Sequence, residues 1–413
     1  MRAALAAFSL LLAAAACPGA EESELWAAYQ AKNFFLLKGH LPAPSSNQSA
    51  RVEFLRAATA ASFGEHETAI ALLRGILSKA HDPDLDVLTR GLLMHEERAR
   101  YRYKPALEAI EPLLRESRPK DPGQLVDLRN SARFLTALAG VGPQQVLGNA
   151  HPLVVQRGPD GRFAVLLGGH AARLGFDTGA SFSFLAESTA RQAGLEILRS
   201  DVSVSSPTGA DVQVALAVGE IAIGSLRIRN VVFLVMPDAR LTMPDGFFMP
   251  GLLGFPVISA LGAISYERDG SMQIGVRHVA REPNLALDGN RVVALVEFRK
   301  QKLLCQLDTG ADNTVFYERF YQLFPDLFAD PSRGHPLKLG GAAGVQEIPA
   351  YPLESIDFKL ADEPIHLTGT QVFEKSIVAA QDNYLACNIG LDALKSFKSY
   401  SIDLKALRLE LHG

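Results

Sequence analysis

The sequence predicts an α+β multidomain protein, in which an N-terminal all-α helical-repeat region is followed by two mainly-β lobes. The chain has 413 residues, which is too long for one ordinary hydrophobic core. Through residues 21–147 apolar residues recur three and four positions apart, a pattern typical of helices. From residue 148 onwards short β-branched runs alternate with Gly, Asp and Pro, which indicates strands and turns.

The composition is that of a globular protein. Hydrophobic residues make up 48% of the chain and charged residues 21%, so a sizeable core can form beneath a polar surface. The formal net charge is −4 and no long run of one sign occurs. This charge pattern argues against a nucleic-acid partner.

Residues 1–20 predict an export signal. A positive start at Arg2 precedes an apolar stretch of about fourteen residues, which is shorter than the roughly twenty needed to span a bilayer. Cleavage after Ala16 would leave Cys17 to carry a lipid, whereas cleavage after Ala20 would release a soluble protein. Both alternatives imply an exported protein of the periplasm or cell envelope, and membrane attachment is expected only through Cys17.

The helical region, residues 21–147, contains one repeated stretch. The apolar positions Ala69, Ile70, Leu73 and Leu77 are matched 37 residues later by Ala106, Leu107, Ile110 and Leu114. This spacing resembles helix-turn-helix repeats of the tetratricopeptide type. The resemblance implies a surface that binds a protein partner, and a purely structural helical cap is an equally open alternative.

A six-residue motif centred on aspartate occurs twice in the β-rich part. The two copies read Phe176-Asp177-Thr178-Gly179-Ala180-Ser181 and Leu307-Asp308-Thr309-Gly310-Ala311-Asp312. Each copy follows an apolar strand at the same offset, and a second landmark follows each copy: Leu252-Leu253-Gly254 and Asn388-Ile389-Gly390. Duplication in register argues against two chance turns. It divides the remainder into lobe 1, residues 148–282, and lobe 2, residues 283–413.

Each lobe resembles a pepsin/retropepsin-like aspartic peptidase lobe. The resemblance implies that Asp177 and Asp308 are the catalytic carboxylates. It further implies that the two active-site loops are supported by Thr178, Gly179, Thr309 and Gly310. The substrate is expected to contact Ala180, Ser181, Ala311 and Asp312 in the loops, and Gly209 and Gly341 in two hairpins that act as flaps.

Two features of the sequence depart from the family pattern. Asn388 replaces an apolar residue in the second landmark of lobe 2. Phe255-Pro256 follows Gly254 where a polar pair is commoner, and this pair argues against the short helix that the family has there.

The paired motif predicts peptide hydrolysis by water, without a metal or another cofactor. Two carboxylates that share one proton can act as base and acid in turn. Ala180 and Ala311 stand where pepsin-like enzymes often carry Ser, so we expect the shared proton to be held to higher pH and the optimum to lie nearer neutral. No Gly-x-Ser-x-Gly elbow is present, and His95-Glu96 lacks the second His of a zinc-binding helix.

Three alternatives stay open at this stage. A duplicated peptidase scaffold can bind peptides without cutting them, because a fold does not establish an activity. The two aspartates can meet within one chain, or equivalent lobes of two chains can pair. Cys305 and Cys387 can form a disulfide in an oxidising compartment, but we expect two buried thiols, since sequence gives no Cα separation for a bridge.

Overall fold

The computed structural model describes residues 18–45, 47–79, 82–116, 121–148, 152–205, 211–243, 246–275, 281–328, 330, 334–341, 344–378 and 382–413. Cys17, with nearly all of the predicted export signal, and Gly209 lie outside the described residues. In the described part of the chain, no helix is both long enough and apolar enough to cross a membrane.

The helical region forms a stack of helices. Their bounds are α1 Pro18–Gln30, α2 Phe34–His40, α3 Ala50–Ser62, α4 His66–Leu77, α5 Pro83–Ala99, α6 Tyr103–Glu116 and α7 Pro122–Leu138. Local chemistry sets several of the starts, because side chains of Ser49, Asp82 and Asp121 accept hydrogen bonds from the first backbone N–H groups of α3, α5 and α7. Proline at the beginning of α5 and α7 costs no hydrogen bond there.

Helices that follow one another in sequence pack together, from α3 on α4 through to α6 on α7. The repeated apolar positions form the same face in α4 and α6: Ala69 and Ala106 are fully buried, as are Leu73 and Ile110. The stack therefore consists of successive packed helices, and its assignment to the tetratricopeptide type stays a prediction.

Lobe 1 is built on a sheet whose strands run in the order β1-β8-β5-β9-β4-β3-β7-β6. The elements of this half are β1 Gln145–Leu147, β2 Leu153–Gln156, β3 Phe163–Leu167, β4 His170–Phe176, β5 Ser183–Ala186, α8 Glu187–Gln192, β6 Ile197–Ser205, β7 Asp211–Ile223, β8 Leu226–Met236, β9 Gly251–Leu253, α9 Phe255–Leu261, β10 Ala263–Glu267 and β11 Ser271–Ile274. Because β1 pairs with β8, the sheet begins at Gln145, three residues before the predicted boundary.

Lobe 2 repeats this arrangement with the order β12-β13-β14-β19-β15-β18-β17-β16. Its elements are β12 Leu285–Asp288, β13 Arg291–Phe298, β14 Gln301–Leu307, β15 Val315–Phe316, α10 Glu318–Leu323, β16 His335–Gly341, β17 Gly344–Leu360, β18 Glu363–Phe373, β19 Cys387–Ile389, α11 Leu391–Leu394, β20 Ser399–Asp403 and β21 Arg408–His412. The strand before each aspartate motif, β4 or β14, pairs in parallel with the strand of the second landmark, β9 or β19.

Strands from both lobes form a further sheet, in the order β2-β11-β10-β20-β21, which we call the inter-lobe sheet. Its centre is the antiparallel pairing of β10 with β20, in which Ser265 lies opposite Ser401. The rings of Tyr266 and Tyr400 stack on each other with centroids 4.9 Å apart. The two lobes are therefore joined by backbone hydrogen bonds as well as by side-chain packing.

Two expectations from the sequence were wrong. Cys305 and Cys387 form a disulfide, because parallel pairing of β14 with β19 sets them directly opposite each other with Cα atoms 4.7 Å apart. The Phe255-Pro256 pair does not prevent the short helix after β9, since Pro256 lies in the first turn of α9, where its missing N–H has no partner to lose.

The helical region also contacts the β6–β7 hairpin of lobe 1. The side chain of Asn130 in α7 bonds both backbone groups of Ser203 in β6: its Nδ2 donates to the carbonyl oxygen at 2.6 Å and its Oδ1 accepts from the N–H at 2.9 Å. At the opposite end, the Tyr101 hydroxyl donates to the carbonyl oxygen of Pro256. The helices are therefore anchored to lobe 1 at two separate places.

Candidate active site

The two aspartate motifs begin where β4 and β14 end, and each is held by its second landmark. The N–H of Asp177 donates to the carbonyl oxygen of Leu253 at 3.0 Å, and the N–H of Asp308 donates to that of Ile389 at 3.0 Å. Within one chain the two loops then face each other across the inter-lobe boundary.

The glycine of each loop lies against the carboxyl group of the other loop. A Cβ atom added to Gly179 would lie 2.5 Å from Cγ of Asp308, and one added to Gly310 would overlap the carboxyl group of Asp177. Neither glycine has a positive φ, so space rather than backbone conformation requires glycine at these positions. This reciprocal contact brings the two aspartates together.

Thr178 and Thr309 cross-link the loops. The N–H of Thr178 donates to Oγ1 of Thr309 at 3.1 Å, and the N–H of Thr309 donates to Oγ1 of Thr178 at 3.0 Å. The Thr178 hydroxyl in turn donates to the carbonyl oxygen of Leu307 at 2.9 Å. Both threonines are buried, so these bonds are shielded from competition with water.

The environment of Asp177 favours its neutral form. Burial and the neighbouring charge of Asp308 raise the pKa of the Asp177 carboxyl to about 7. The hydrogen bond that Asp177 Oδ1 accepts from the N–H of Gly179, at 2.7 Å, acts in the opposite direction and is the weaker influence. A carboxyl group in this setting can hold a proton close to neutral pH.

Asp308 accepts three hydrogen bonds. Its Oδ1 accepts from the N–H groups of Gly310 at 2.9 Å and Ala311 at 3.1 Å, and its Oδ2 accepts from Nδ2 of Asn388 at 2.8 Å. In lobe 1 the position equivalent to Asn388 is Leu252, which has no group to donate. The carboxyl pair is therefore asymmetric, with an additional donor on the Asp308 side only.

Sequence reasoning noticed Asn388 only as a departure from an apolar pattern and missed this contact. The usable signal was its place two residues before Gly390, on the strand that runs beside Asp308. Its Oδ1 atom is buried and has no hydrogen-bond partner in the described part of the chain.

The residues predicted to contact substrate occupy different kinds of position in the structure. The carbonyl oxygens of Ala180 and Ala311 accept the N–H groups of Phe255 and Leu391 at 2.8 Å, so both alanines hold the starts of the helices α9 and α11. Ser181 and Asp312 have exposed side chains at the ends of their loops. Gly341 pairs with Gly344 at the tip of the β16–β17 hairpin, whereas Gly209 lies outside the described residues.

Metal ligands are not concentrated around this site. In the part of the chain that the structure describes, no group of three or more His, Cys, Asp or Glu side chains is arranged to hold a metal ion. The polar groups of the site are instead the two carboxyl groups, the loop N–H groups and the Asn388 amide.

Comparison with known proteins shows that a segment of lobe 1 is similar to aspartyl proteases. A family model described as aspartyl protease matches residues 163–257, which include the first motif and its second landmark. A crystal structure of a retropepsin-like aspartic protease from Rickettsia conorii is 17% identical, with 32% of this chain and 91% of that chain covered and a TM-score of 0.22. A comparison with curated proteins gave no match.

Proposed function

We propose that the chain is an aspartic endopeptidase in which Asp177 and Asp308 together activate water for hydrolysis of a peptide bond. The observation that carries this proposal is the reciprocal packing of the two loops, in which Gly179 lies against Asp308 and Gly310 against Asp177. The family match over residues 163–257 supports the same reaction class.

The asymmetry of the pair suggests a role for each carboxyl group. Asp177, whose pKa is raised, holds the shared proton, and Asp308, with three donors, carries the negative charge. Asp308 accepts a proton from water as the water oxygen attacks the peptide carbonyl carbon, while Asp177 donates its proton to the carbonyl oxygen. The resulting gem-diol returns a proton to Asp177, Asp308 protonates the nitrogen, and the C–N bond breaks.

We further propose that one chain is sufficient for activity. The inter-lobe sheet and the Thr178–Thr309 bonds hold both loops together without a second copy. Specific activity that is independent of enzyme concentration, with a monomer in sedimentation, is expected. A steep loss of specific activity on dilution would instead support pairing between chains.

Export is the remaining part of the proposal. The Cys305–Cys387 disulfide supports a protein that matures in an oxidising compartment, where such bonds persist. Mass spectrometry of the mature N-terminus distinguishes a lipid-bearing Cys17 from cleavage after Ala20.

The reaction is tested by cleavage of a mixed peptide library with Asp177→Asn and Asp308→Asn made separately. Each variant is expected to lose activity by roughly a thousandfold or more, because each removes one of the two proton-transfer groups. Asp326→Asn is the control, since Asp326 is an exposed aspartate paired with Arg299. If both active-site variants cut as fast as the parent, the proposed dyad is wrong, and binding without cleavage by the parent would indicate a peptide-binding protein.

A further inference from the structure

A cavity of about 620 Å³ lies between the helical region and the two lobes. Its lining includes residues of α1, α5, α6 and α7 on one side, and on the other Ser181, which ends the first aspartate motif, and Phe182. Asn290 of lobe 2 also lines the cavity, and its Nδ2 donates a hydrogen bond to the carbonyl oxygen of Ser181 at 2.8 Å. The cavity therefore adjoins the end of the active-site loop that contains Asp177.

Most charged side chains around this cavity are paired with one another. Lys32 bonds Asp288 at 3.0 Å, Arg291 binds both oxygens of Asp382, and His66 contacts Glu96 at 2.7 Å. Asp127, on the exposed side of α7, has an interaction of its own. Because these groups already have partners within the protein, we do not expect them to bind a charged ligand.

Arg98 is the exception. Its guanidinium group lies 5.4 Å from the centre of the Phe182 ring and lines the cavity. Within the described residues it has no carboxylate at ion-pair distance, and it donates a hydrogen bond to Nδ1 of His95, a neutral acceptor, at 3.1 Å. Arg98 is partly buried and the charge of nearby Glu96 acts on it, but no ion pair occupies the guanidinium, so a ligand can supply the anion.

The groups next to Arg98 reinforce this preference. Burial, together with the charge of Arg98, lowers the pKa of His95 to about 3, so the ring is neutral and its Nε2 carries the proton. The His95 side chain is exposed and lines the cavity. Tyr29 and Tyr103 also line the cavity. Beside Arg98, the Nε2–H of His95 is thus a further donor that suits an oxygen anion.

We propose that this cavity binds a carboxylate of the peptide substrate through Arg98, which extends the cleft from Ser181 into the helical region. The inference rests on the proposed peptidase function for its choice of a peptide as the source of the carboxylate. It gives the helices a direct role in substrate selection: they prefer acidic peptides that reach past Ser181.

The proposal is tested by binding measurements on the Asp177→Asn variant, so that turnover does not obscure affinity. Three fluorescent peptide pools of mixed sequence are compared: one whose only carboxylate is the C-terminus, one amidated pool with internal Asp or Glu, and one amidated pool without acids. At least one acidic pool is expected to bind about 10-fold to 100-fold more tightly than the pool without acids. The pool that gains affinity identifies the carboxylate as terminal or side-chain.

Variants at Arg98 distinguish recognition from packing. Arg98→Met keeps an apolar stem over Phe182 and is expected to abolish the difference between acidic and neutral pools, whereas Arg98→Lys retains part of it. Arg100→Leu is the control, because Arg100 is exposed and paired with Glu67. Equal loss of affinity for all pools in Arg98→Met, or equal binding of all pools by the parent, would overturn the proposal.

The two proposals fail in different ways. If the parent prefers acidic pools but does not cleave peptides, the proposed peptidase function is contradicted and the proposed carboxylate site is supported. If cleavage depends on Asp177 and Asp308 but all pools bind equally, only the proposed carboxylate site is contradicted.

Discussion

Asn388 donates a hydrogen bond to the carboxylate of Asp308 at 2.8 Å, whereas its counterpart Leu252 gives Asp177 none. The two aspartates therefore differ although the loops that carry them are nearly identical in sequence. This difference is the basis of the roles assigned to them and leads to the first prediction.

Asn388→Leu removes one hydrogen bond to a charged group, worth about 1.5 to 3 kcal/mol. The negative charge on Asp308 is then less stable, so the acidic limb of the pH profile of kcat/KM is expected to move to higher pH by roughly one to two units. Leu252→Asn, which adds an amide beside Asp177, is the reciprocal variant and should move the alkaline limb to lower pH. A uniform loss of activity with both limbs unmoved would mean that Asn388 only supports the fold.

Asp177→Asn is expected to change the pH dependence of stability. Because the pKa of Asp177 is raised in the folded state to about 7, its contribution to stability is fully present below the unfolded value near 4 and is lost as the pH rises through 7. The variant lacks this loss, which amounts to at most about 4 kcal/mol for a shift of about three units. Thermal unfolding of parent and variant at pH 4 and pH 8 tests this, and the variant should gain relative to the parent only at the higher pH.

Gly310→Ala is expected to lower kcat by roughly a hundredfold or more, because the new methyl group overlaps the Asp177 carboxyl and displaces it. Gly75→Ala in α4 is the matched control, since its Cβ would meet nothing within 4 Å and alanine favours a helix by roughly 0.5 to 1 kcal/mol. Comparable activity of Gly310→Ala and the parent in a peptide-cleavage assay would contradict the close approach of the two loops.

Thr178→Val leaves the N–H of Thr309 and the carbonyl oxygen of Leu307 buried without the partners they have now. We expect a loss of about 2 to 4 kcal/mol in the free energy of unfolding, because two buried polar groups lose their bonds. Thr178→Ser keeps the hydroxyl and should lose much less. Urea unfolding of the three proteins provides the measurement, and equal midpoints for Val and Ser would show that the hydroxyl contributes nothing.

Reduction of the Cys305–Cys387 disulfide, or its replacement by two alanines, is expected to destabilise lobe 2. The bond closes a loop between residues 82 apart in sequence, for which chain entropy gives about 4 kcal/mol. Thermal unfolding with and without dithiothreitol measures the effect, with the double alanine variant as the control that should not respond to the reductant. An unchanged midpoint in the parent after full reduction would rule out this contribution.

Duplication made the strongest features of the fold predictable from the sequence. The two aspartate motifs and their second landmarks stand in the same order in both halves, so the strands that meet at Asp177 and Asp308 could be inferred from the sequence. The β16–β17 hairpin was also predictable, because its turn region contains several glycines.

Contacts that depend on register across the sheet were harder to predict. Cys305 lies three residues before Asp308, and Cys387 lies three residues before Gly390, so parallel pairing of their strands brings them together. The same pairing directs Asn388 towards Asp308. To predict either contact, one must know which strand pairs with which and in what register. Sequence periodicity identifies a strand but does not identify its neighbour.

The position of the helices on lobe 1 had no signal in the sequence. The bond between Asn130 and Ser203 joins residues 73 positions apart through a side-chain amide, and the cavity beside Arg98 exists only because α5 packs near Phe182. Such contacts arise from tertiary packing between separate units, which local propensity does not encode.

The inter-lobe sheet also has a genetic consequence. When two identical chains build one cleft, every mutation appears on both sides at once, and a change that helps one side must be tolerated by the other. Here β10 and β20 join halves that are written separately in one gene, so each half can mutate alone. Lobe 2 accordingly has a disulfide and an amide beside its carboxyl group, whereas lobe 1 has Leu252 at the position of that amide.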